Sequence, residues 1–187
     1  MTILGHTVDL QFIIATLLGT GAAICSTLSF QQKENKRLFF LQLMASAFFG
    51  IQYILLGFWS GPVFNAIACV RSMILYKGGK MAENKKLEIG ILGALAVAYI
   101  CILIFLHEWQ ATFSFLAMSI STISMWSKSG KKIRLVQMFV ISPCWIVFDI
   151  LSGSIAGLVS ETIAVCSVII SIMRYGINGF DEGKKNG

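Results

Sequence analysis

Long apolar runs alternate with short polar stretches along the whole chain, and the runs are too long to be one face of a water-soluble element. Seven of them, 10–30, 38–56, 61–76, 87–106, 109–126, 133–151 and 155–175, approach the ~20 residues that an α-helix needs to cross hydrocarbon, 61–76 being the shortest. None alternates as a barrel strand does. In lipid every backbone amide must be paired within the segment, so each run is expected to be a helix. Gly57 with Gly61 and Pro62, Gly78 with Gly79, Gly130, and Gly153 mark the junctions. The pattern predicts an all-α integral membrane protein with seven transmembrane helices.

Composition agrees: 56% of the 187 residues are hydrophobic and 13% charged, against roughly 45–50% and about 25% in soluble domains. The lipid bilayer is thus the expected main partner. Cys25, Cys69, Cys101, Cys144 and Cys166 all fall inside apolar runs, without C-x-x-C spacing and in odd number, so they read as small packing residues. The first run has neither a basic n-region nor a small-x-small site and is expected to remain as the first helix.

The net charge of +6 would favour nucleic acid only on a folded, water-facing basic surface. Here the cations occupy alternate gaps between apolar runs, which excludes nucleic acid as the expected partner and sets a topology instead. Lys33, Lys36 and Arg37 follow the first run; Lys77, Lys80, Lys85 and Lys86 the third; Lys128, Lys131, Lys132 and Arg134 the fifth; Lys184 and Lys185 the seventh. The other three connections and residues 1–9 have no Lys or Arg. By the positive-inside rule the N-terminus is periplasmic or outside and the C-terminus cytoplasmic. Arg71 and Arg174, near the basic ends of their runs, are expected to snorkel to that surface. Trp59, Tyr76, Trp109, Trp126 and Tyr175 are expected in aromatic belts at the interfaces.

The chain also resembles itself. Residues 26–56 superpose on 121–151 at an offset of 95, with identities at Ser26, Thr27, Ser29, Lys33, Lys36, Gln42, Ile51 and Leu56. After one inserted residue an offset of 96 matches Gly57 to Gly153, Gly61 to Gly157, Val63 to Val159, Ile67 to Ile163, Ala68 to Ala164 and Ile74 to Ile170. The matched loop charges and glycines are not apolar filler. The expected organisation is a first three-helix repeat at 10–76, a basic loop and linker helix at 77–106, a second repeat at 109–175 and a cytoplasmic tail at 176–187. The odd linker makes the two repeats parallel.

Three-plus-one-plus-three helices, with Ser29-Phe30-Gln31-Gln32 before a short basic loop, resemble the SWEET and PQ-loop (MtN3-like) superfamily. The chain as a whole, notably Glu34-Asn35-Lys36-Arg37 and Gln52-Tyr53-Ile54-Leu55-Leu56-Gly57, looks closest to the YgjV family of bacterial inner-membrane proteins. The resemblance implies a SWEET-like fold in a bacterial inner membrane. It also implies a central pocket to which the third helix of each repeat contributes an asparagine, and the repeat alignment sets Asn65 and Glu161 at those positions. The chain departs from the SWEET pattern of hinge prolines: it has only Pro62 and Pro143, with Phe48 opposite the latter.

Glu161 lies six residues into the last run, where an ionised carboxylate costs ~2.5–3.5 kcal/mol on insertion scales. It reads either as a protonatable substrate-binding or proton-coupling residue, or as a carboxyl tying helices together through Gln52, Gln137 or Asn65. Asn65 reads as a solute ligand or a helix clamp. Gln52, Gln137, Ser26 and Ser121 line a pathway or bond helices together. Arg71 is an alternative partner for Glu161 or for an anionic solute, and Asp149 is expected to be a solvated helix end. Gly57 with Gly61 and Gly153 with Gly157 have small-x-x-x-small spacing, for close packing or for turns.

His6 and His107 have no ligating neighbours at metal spacing, and no cofactor is expected. No phosphate loop, nucleophile elbow or H-E-x-x-H is present, so an enzyme is not expected. The leading expectation is a carrier for a small polar solute, a sugar or another metabolite, by alternating access, with the substrate open. The alternative is a sensor or assembly factor on the same fold. Both repeats lie in one chain, so a monomer suffices, and the oligomeric state is left open.

Overall fold

The computed structural model describes residues 2–3, 6–7 and 10–176. The rest of the N-terminal stretch without Lys or Arg and the expected tail beyond Gly176, with Lys184 and Lys185, lie outside the described residues. Thr2–Ile3 and His6–Thr7 form a short antiparallel pair, and from Leu10 onward the chain is helical.

Helices α1 (Leu10–Gln31), α2 (Asn35–Leu56) and α3 (Ser60–Lys77) are followed by a short α4 (Gly79–Glu83). Next come α5 (Lys85–Cys101), prolonged by a π-helical turn at Ile102–Leu106, and α6 (Ala111–Trp126). A second π turn at Gln137–Ile141 joins α7 (Gly130–Val136) to α8 (Ser142–Ser152), and α9 is Ile155–Tyr175. Five helical stretches are long and apolar enough to cross a membrane: Leu10–Gln31, Asn35–Leu56, Lys85–Leu106, Gly130–Ser152 and Gly157–Tyr175. The other two expected runs are also helices: α6 is shorter, at 16 residues, and in α3 Asn65, Arg71 and Ser72 interrupt the apolar sequence.

The distribution of side chains is that of a protein dissolved in lipid. Leu17 is 68%, Phe105 75% and Met173 80% exposed, whereas Ser29, Ser60, Ser72, Ser114, Ser142 and Ser171 are fully buried. With lipid outside, small polar side chains turn inward, away from hydrocarbon, although the hydroxyls of Ser60, Ser72 and Ser114 find no partner there among the described residues. The five cysteines are free thiols.

The helix ends follow from local chemistry. Gly57 and Gly153 close α2 and α8 in the left-handed conformation, with φ of 80° and 68°, which costs glycine nothing. Ser154 Oγ accepts from Gly157 N at 3.1 Å to cap α9. Glu108, in the α5–α6 connection, accepts from Trp59 N and Ser60 N at 3.3 and 3.2 Å. Its carboxylate thereby closes the N-terminus of α3, where the helix dipole favours negative charge.

At the basic end, Lys36 lies over the Tyr76 ring at 5.4 Å and Lys33 over Tyr175 at 4.8 Å, cation–π pairs at the expected boundary. Trp59 and Trp109 are 55% and 60% exposed at the other end, but Trp126, expected in the belt, is 8% exposed and belongs to the core. Arg134, expected as a loop cation, is likewise inside, at 1% exposed. The helix begins at Gly130 and carries it inward, where it binds the backbone carbonyls that α1 leaves unpaired at its C-terminus.

Each of α2 and α8 packs between its sequence neighbours, and α1 packs on α9 as α3 packs on α6. Helix α5 lies against α3 and α6. The stretch Gly130–Ser152 has 23 residues where α2 has 22. Its π turn, closed by i→i+5 bonds, absorbs the extra residue, so the insertion lies inside the helix and not after Leu56 as the sequence alignment has it. From Ile141 onward the offset is 96, which matches Ser46 to Ser142, Ile54 to Ile150 and Leu55 to Leu151. Pro143, which has no N–H to donate back along the helix, follows this turn immediately.

Candidate functional site

Among the helices lies a cavity of about 60 Å³, room for a few water molecules. Its lining includes six pairs of positions that the sequence offsets of 95 and 96 align: Ser26 with Ser121, Gln42 with Gln137, Ala45 with Ile141, Phe49 with Trp145, Tyr53 with Asp149, and Asn65 with Glu161. Arg71, Ser46, Met118 and Gly157 complete it. Asn65 and Glu161 are thus on one cavity, as are Ser26, Ser121 and Gln137. Gln52 is not among the lining residues; it is buried elsewhere, with Oε1 unpartnered.

At the end away from the basic loops, Tyr53 Oη donates to Asp149 Oδ1 at 2.7 Å, joining α2 to α8. Both residues are 2% exposed, so Asp149 is not the solvated helix end expected. Its α8 turn faces α2 and α9, and burial is tolerable because the tyrosine hydroxyl satisfies the carboxyl. Glycines permit the approach: a Cβ on Gly61 would lie 2.6 Å from Tyr53 Cδ2, and one on Gly157 the same distance from Asp149 Oδ2. Phe49 stacks on Tyr53 with ring centroids 6.3 Å apart. Phe148 sits edge-on to Tyr53 at 5.7 Å and to Trp145 at 5.5 Å. This end is closed by aromatic rings around one buried polar pair.

A double-mutant cycle of Tyr53→Phe and Asp149→Asn, read by thermal unfolding in detergent, is expected to give a coupling of about 1.5–3 kcal/mol, the range for hydrogen bonds to charged groups. Additive single effects would mean that the pair does not hold the two helices.

Further in, Asn65 Nδ2 donates to Gly61 O of its own helix at 2.9 Å, so its amide oxygen is left without a protein partner among the described residues. Glu161 is half-buried. Gln137 Nε2 lies 3.5 Å from its Oε2, at the limit of a hydrogen bond, and donates more firmly to Ser142 Oγ at 3.0 Å. The Ser142 hydroxyl also donates to this carboxylate, whose two oxygens offer about four acceptor sites, so acceptor capacity is left over. Gln137 sits on the π turn, whose irregular backbone re-aims the side chain toward the cavity.

Arg71 departs furthest from expectation. It is 2% exposed and does not snorkel; Nη1 donates to Ser121 Oγ and Thr122 Oγ1 of α6, both at 3.1 Å. The corresponding position of the second half is Ser167, whose hydroxyl donates to Thr27 O at 3.0 Å while accepting from Gln31 Nε2 at 2.8 Å. Polar side-chain contacts thus join α3 to α6 and α9 to α1.

Sequence reasoning missed Tyr53 and Asp149 as cavity residues and offered Arg71 such a place only as the alternative to snorkelling. The signal for the first two was an offset of 96 applied within the sixth run, which aligns them.

No curated protein and no solved structure matches the chain. A sequence model of the Imp-YgjV family, described as bacterial inner membrane protein, matches residues 13–178. That span takes in every cavity residue and all five helical stretches long enough to cross a membrane but for the first few residues of α1, and the chain therefore belongs to the Imp-YgjV family of bacterial inner membrane proteins.

Proposed function

We propose that the protein is a small-solute carrier built from two parallel three-helix repeats, α1–α3 and α6–α9, joined by α5. Seven crossings result, with the termini on opposite faces and the basic loops in the cytoplasm. The observation that carries this reading is the paired cavity lining. Six positions of one half face their counterparts in the other, as a pocket on the axis between two repeats requires. The reciprocal contacts of α1 with α9 and α3 with α6 support the same axis. The likeness of helix count and cavity placement to the SWEET and PQ-loop plan belongs to this reading.

A carrier needs polar groups inside that bind a solute without being saturated by the protein. The amide oxygen of Asn65 and the carboxylate of Glu161 meet that need at one depth, and Glu161 is also placed to take up and release a proton. Opening requires one end of the cavity to loosen while the other holds, and the Tyr53–Asp149 pair is the closure of the outer end.

The test is counterflow into proteoliposomes over a panel of sugars, amino acids, nucleosides and vitamins, with and without a pH gradient. Saturable counterflow of one class is expected, reduced at least about 10-fold by Asn65→Ala and by Glu161→Gln, the range for losing a hydrogen bond to a charged group. Loss of gradient dependence in Glu161→Gln alone would assign the proton to that carboxyl. Folded protein with no counterflow for any solute would overturn the carrier reading.

A further inference from the structure

We infer that the Arg71 guanidinium is an anion-binding site inside this cavity, and that the solute it takes is a small amino acid whose carboxylate seats there. This rests on the carrier reading for transport, but the binding site stands on its own observations.

Arg71 lines the cavity and is 2% exposed, yet among the described residues no carboxylate lies within ion-pairing distance of it. Its protein partners are two neutral hydroxyls, both on Nη1. Among the described residues its buried Nε has no partner and Nη2 makes no hydrogen bond. A guanidinium has five donors in a planar fork that fits a carboxylate bidentately. Three of the five are unused here, and they lie on the adjacent Nε and Nη2.

The other buried arginine gives the contrast. Arg134 is spent on the protein: Nε and Nη2 both donate to Phe30 O, Nη2 also to Gln32 O, and Nη1 to Gly130 O. A buried cation is normally paired because leaving it unpaired costs several kcal/mol. Arg134 obeys that rule through backbone carbonyls, and Arg71 leaves its fork free.

The second half supplies the opposite sign. Across from Asn65 stands Glu161, about 9 Å along the helix axis from the level of Arg71, six residues at about 1.5 Å each. The cavity is thus bipolar, with guanidinium toward the basic loops and carboxylate toward the outer end. A solute carrying both an anionic and a cationic group matches both, whereas a neutral sugar matches neither charge. The room of about 60 Å³ favours the smaller members of the class.

The experiment titrates detergent-solubilised full chain with glycine, alanine, serine, 4-aminobutyrate, ethylamine, propionate and glucose. Binding is followed by the fluorescence of Trp145, which lines the cavity, with a Trp145→Phe protein as the signal control. The same solutes are then run in counterflow. Saturable binding of at least one amino acid is expected, with ethylamine and glucose at least about 10-fold weaker. Arg71→Gln should lose about 10- to 100-fold in affinity for the amino acid, the value of a charge-assisted hydrogen bond, and Arg71→Lys should recover part of it.

Glu161→Gln should instead narrow the preference for alanine over propionate. Ethylamine binding as tightly as alanine, or Arg71→Gln binding unchanged in a protein that unfolds at the wild-type temperature, would overturn the proposal. So would the absence of amino-acid binding in wild type. Counterflow of glucose without that of any amino acid overturns the substrate class and leaves the carrier standing; amino-acid binding without any counterflow does the reverse.

Discussion

Alanine at Gly61 or Gly157 is expected to destabilise the protein by about 3 kcal/mol, the upper end for overpacking a filled interior, while alanine at Gly90 or Gly93 should change stability little. All four are glycines in apolar helices, and propensity alone ranks alanine above glycine by about 1 kcal/mol at each. The difference is what the new methyl meets. At Gly61 it meets the Tyr53 ring and at Gly157 the Asp149 carboxyl, in both cases the side chain that closes the outer end. At Gly90 and Gly93 nothing lies within 4 Å. Neither Tyr53 nor Asp149 can yield easily, since each is held by the other at 2.7 Å and the tyrosine ring is flanked by Phe49 and Phe148. Melting temperatures in one detergent check the expectation. Equal shifts at Gly61 and Gly93 would mean that helix α3 does not pack on α2 as described.

These glycines also show how far the sequence could be read. Their spacing with Gly57 and Gly153 left two readings open, close packing or turns. The structure divides them, one of each pair for each role: Gly57 and Gly153 take the left-handed turn conformation, and Gly61 and Gly157 permit the close approach. The helices themselves were legible because a bilayer leaves the backbone few alternatives. Asn65 and Glu161 were legible as cavity residues because a polar group in a long apolar run stands out.

Arg71, Arg134, Trp126 and Asp149 were misread for a shared reason. Each lies within a turn or two of a helix end, where sequence position alone cannot separate a side chain turned toward the interface from one turned into the bundle. The one-residue offset was misplaced because alignment of sequence puts an insertion in a loop by default. A π turn hides the extra residue inside a helix, so that Tyr53 and Asp149 align only when the offset of 96 is applied within the sixth run.

Arg134→Leu is expected to cost about 3–5 kcal/mol, because it takes the donor from several buried neutral acceptors at about 1–3 kcal/mol each. Leucine keeps much of the volume but removes every donor, and the carbonyls of Phe30, Gln32 and Gly130 lose the cation that serves them. Ser171 Oγ, itself donating to Phe30 O at 2.9 Å, also loses Arg134 Nε as its donor at 3.3 Å. Arg134→Lys should be milder than Arg134→Leu but still destabilising, because a single ammonium cannot span three carbonyls in the plane of a guanidinium.

The loss should also be local in its onset. Hydrogen exchange is expected to rise first at the C-terminal turn of α1 and in α7, with α2, α3 and α5 protected longer. That order follows from the seams between the two halves: α1 is tied to α7 and α9 by Arg134, Ser171, Ser167 and Gln31, whereas α3 meets α6 through the two hydroxyl contacts of Arg71. If the halves move against each other, the α1 seam is the one built to hold. Faster exchange at α3 and α6 than at α1 in the Arg134→Leu protein would place the weak seam on the wrong side.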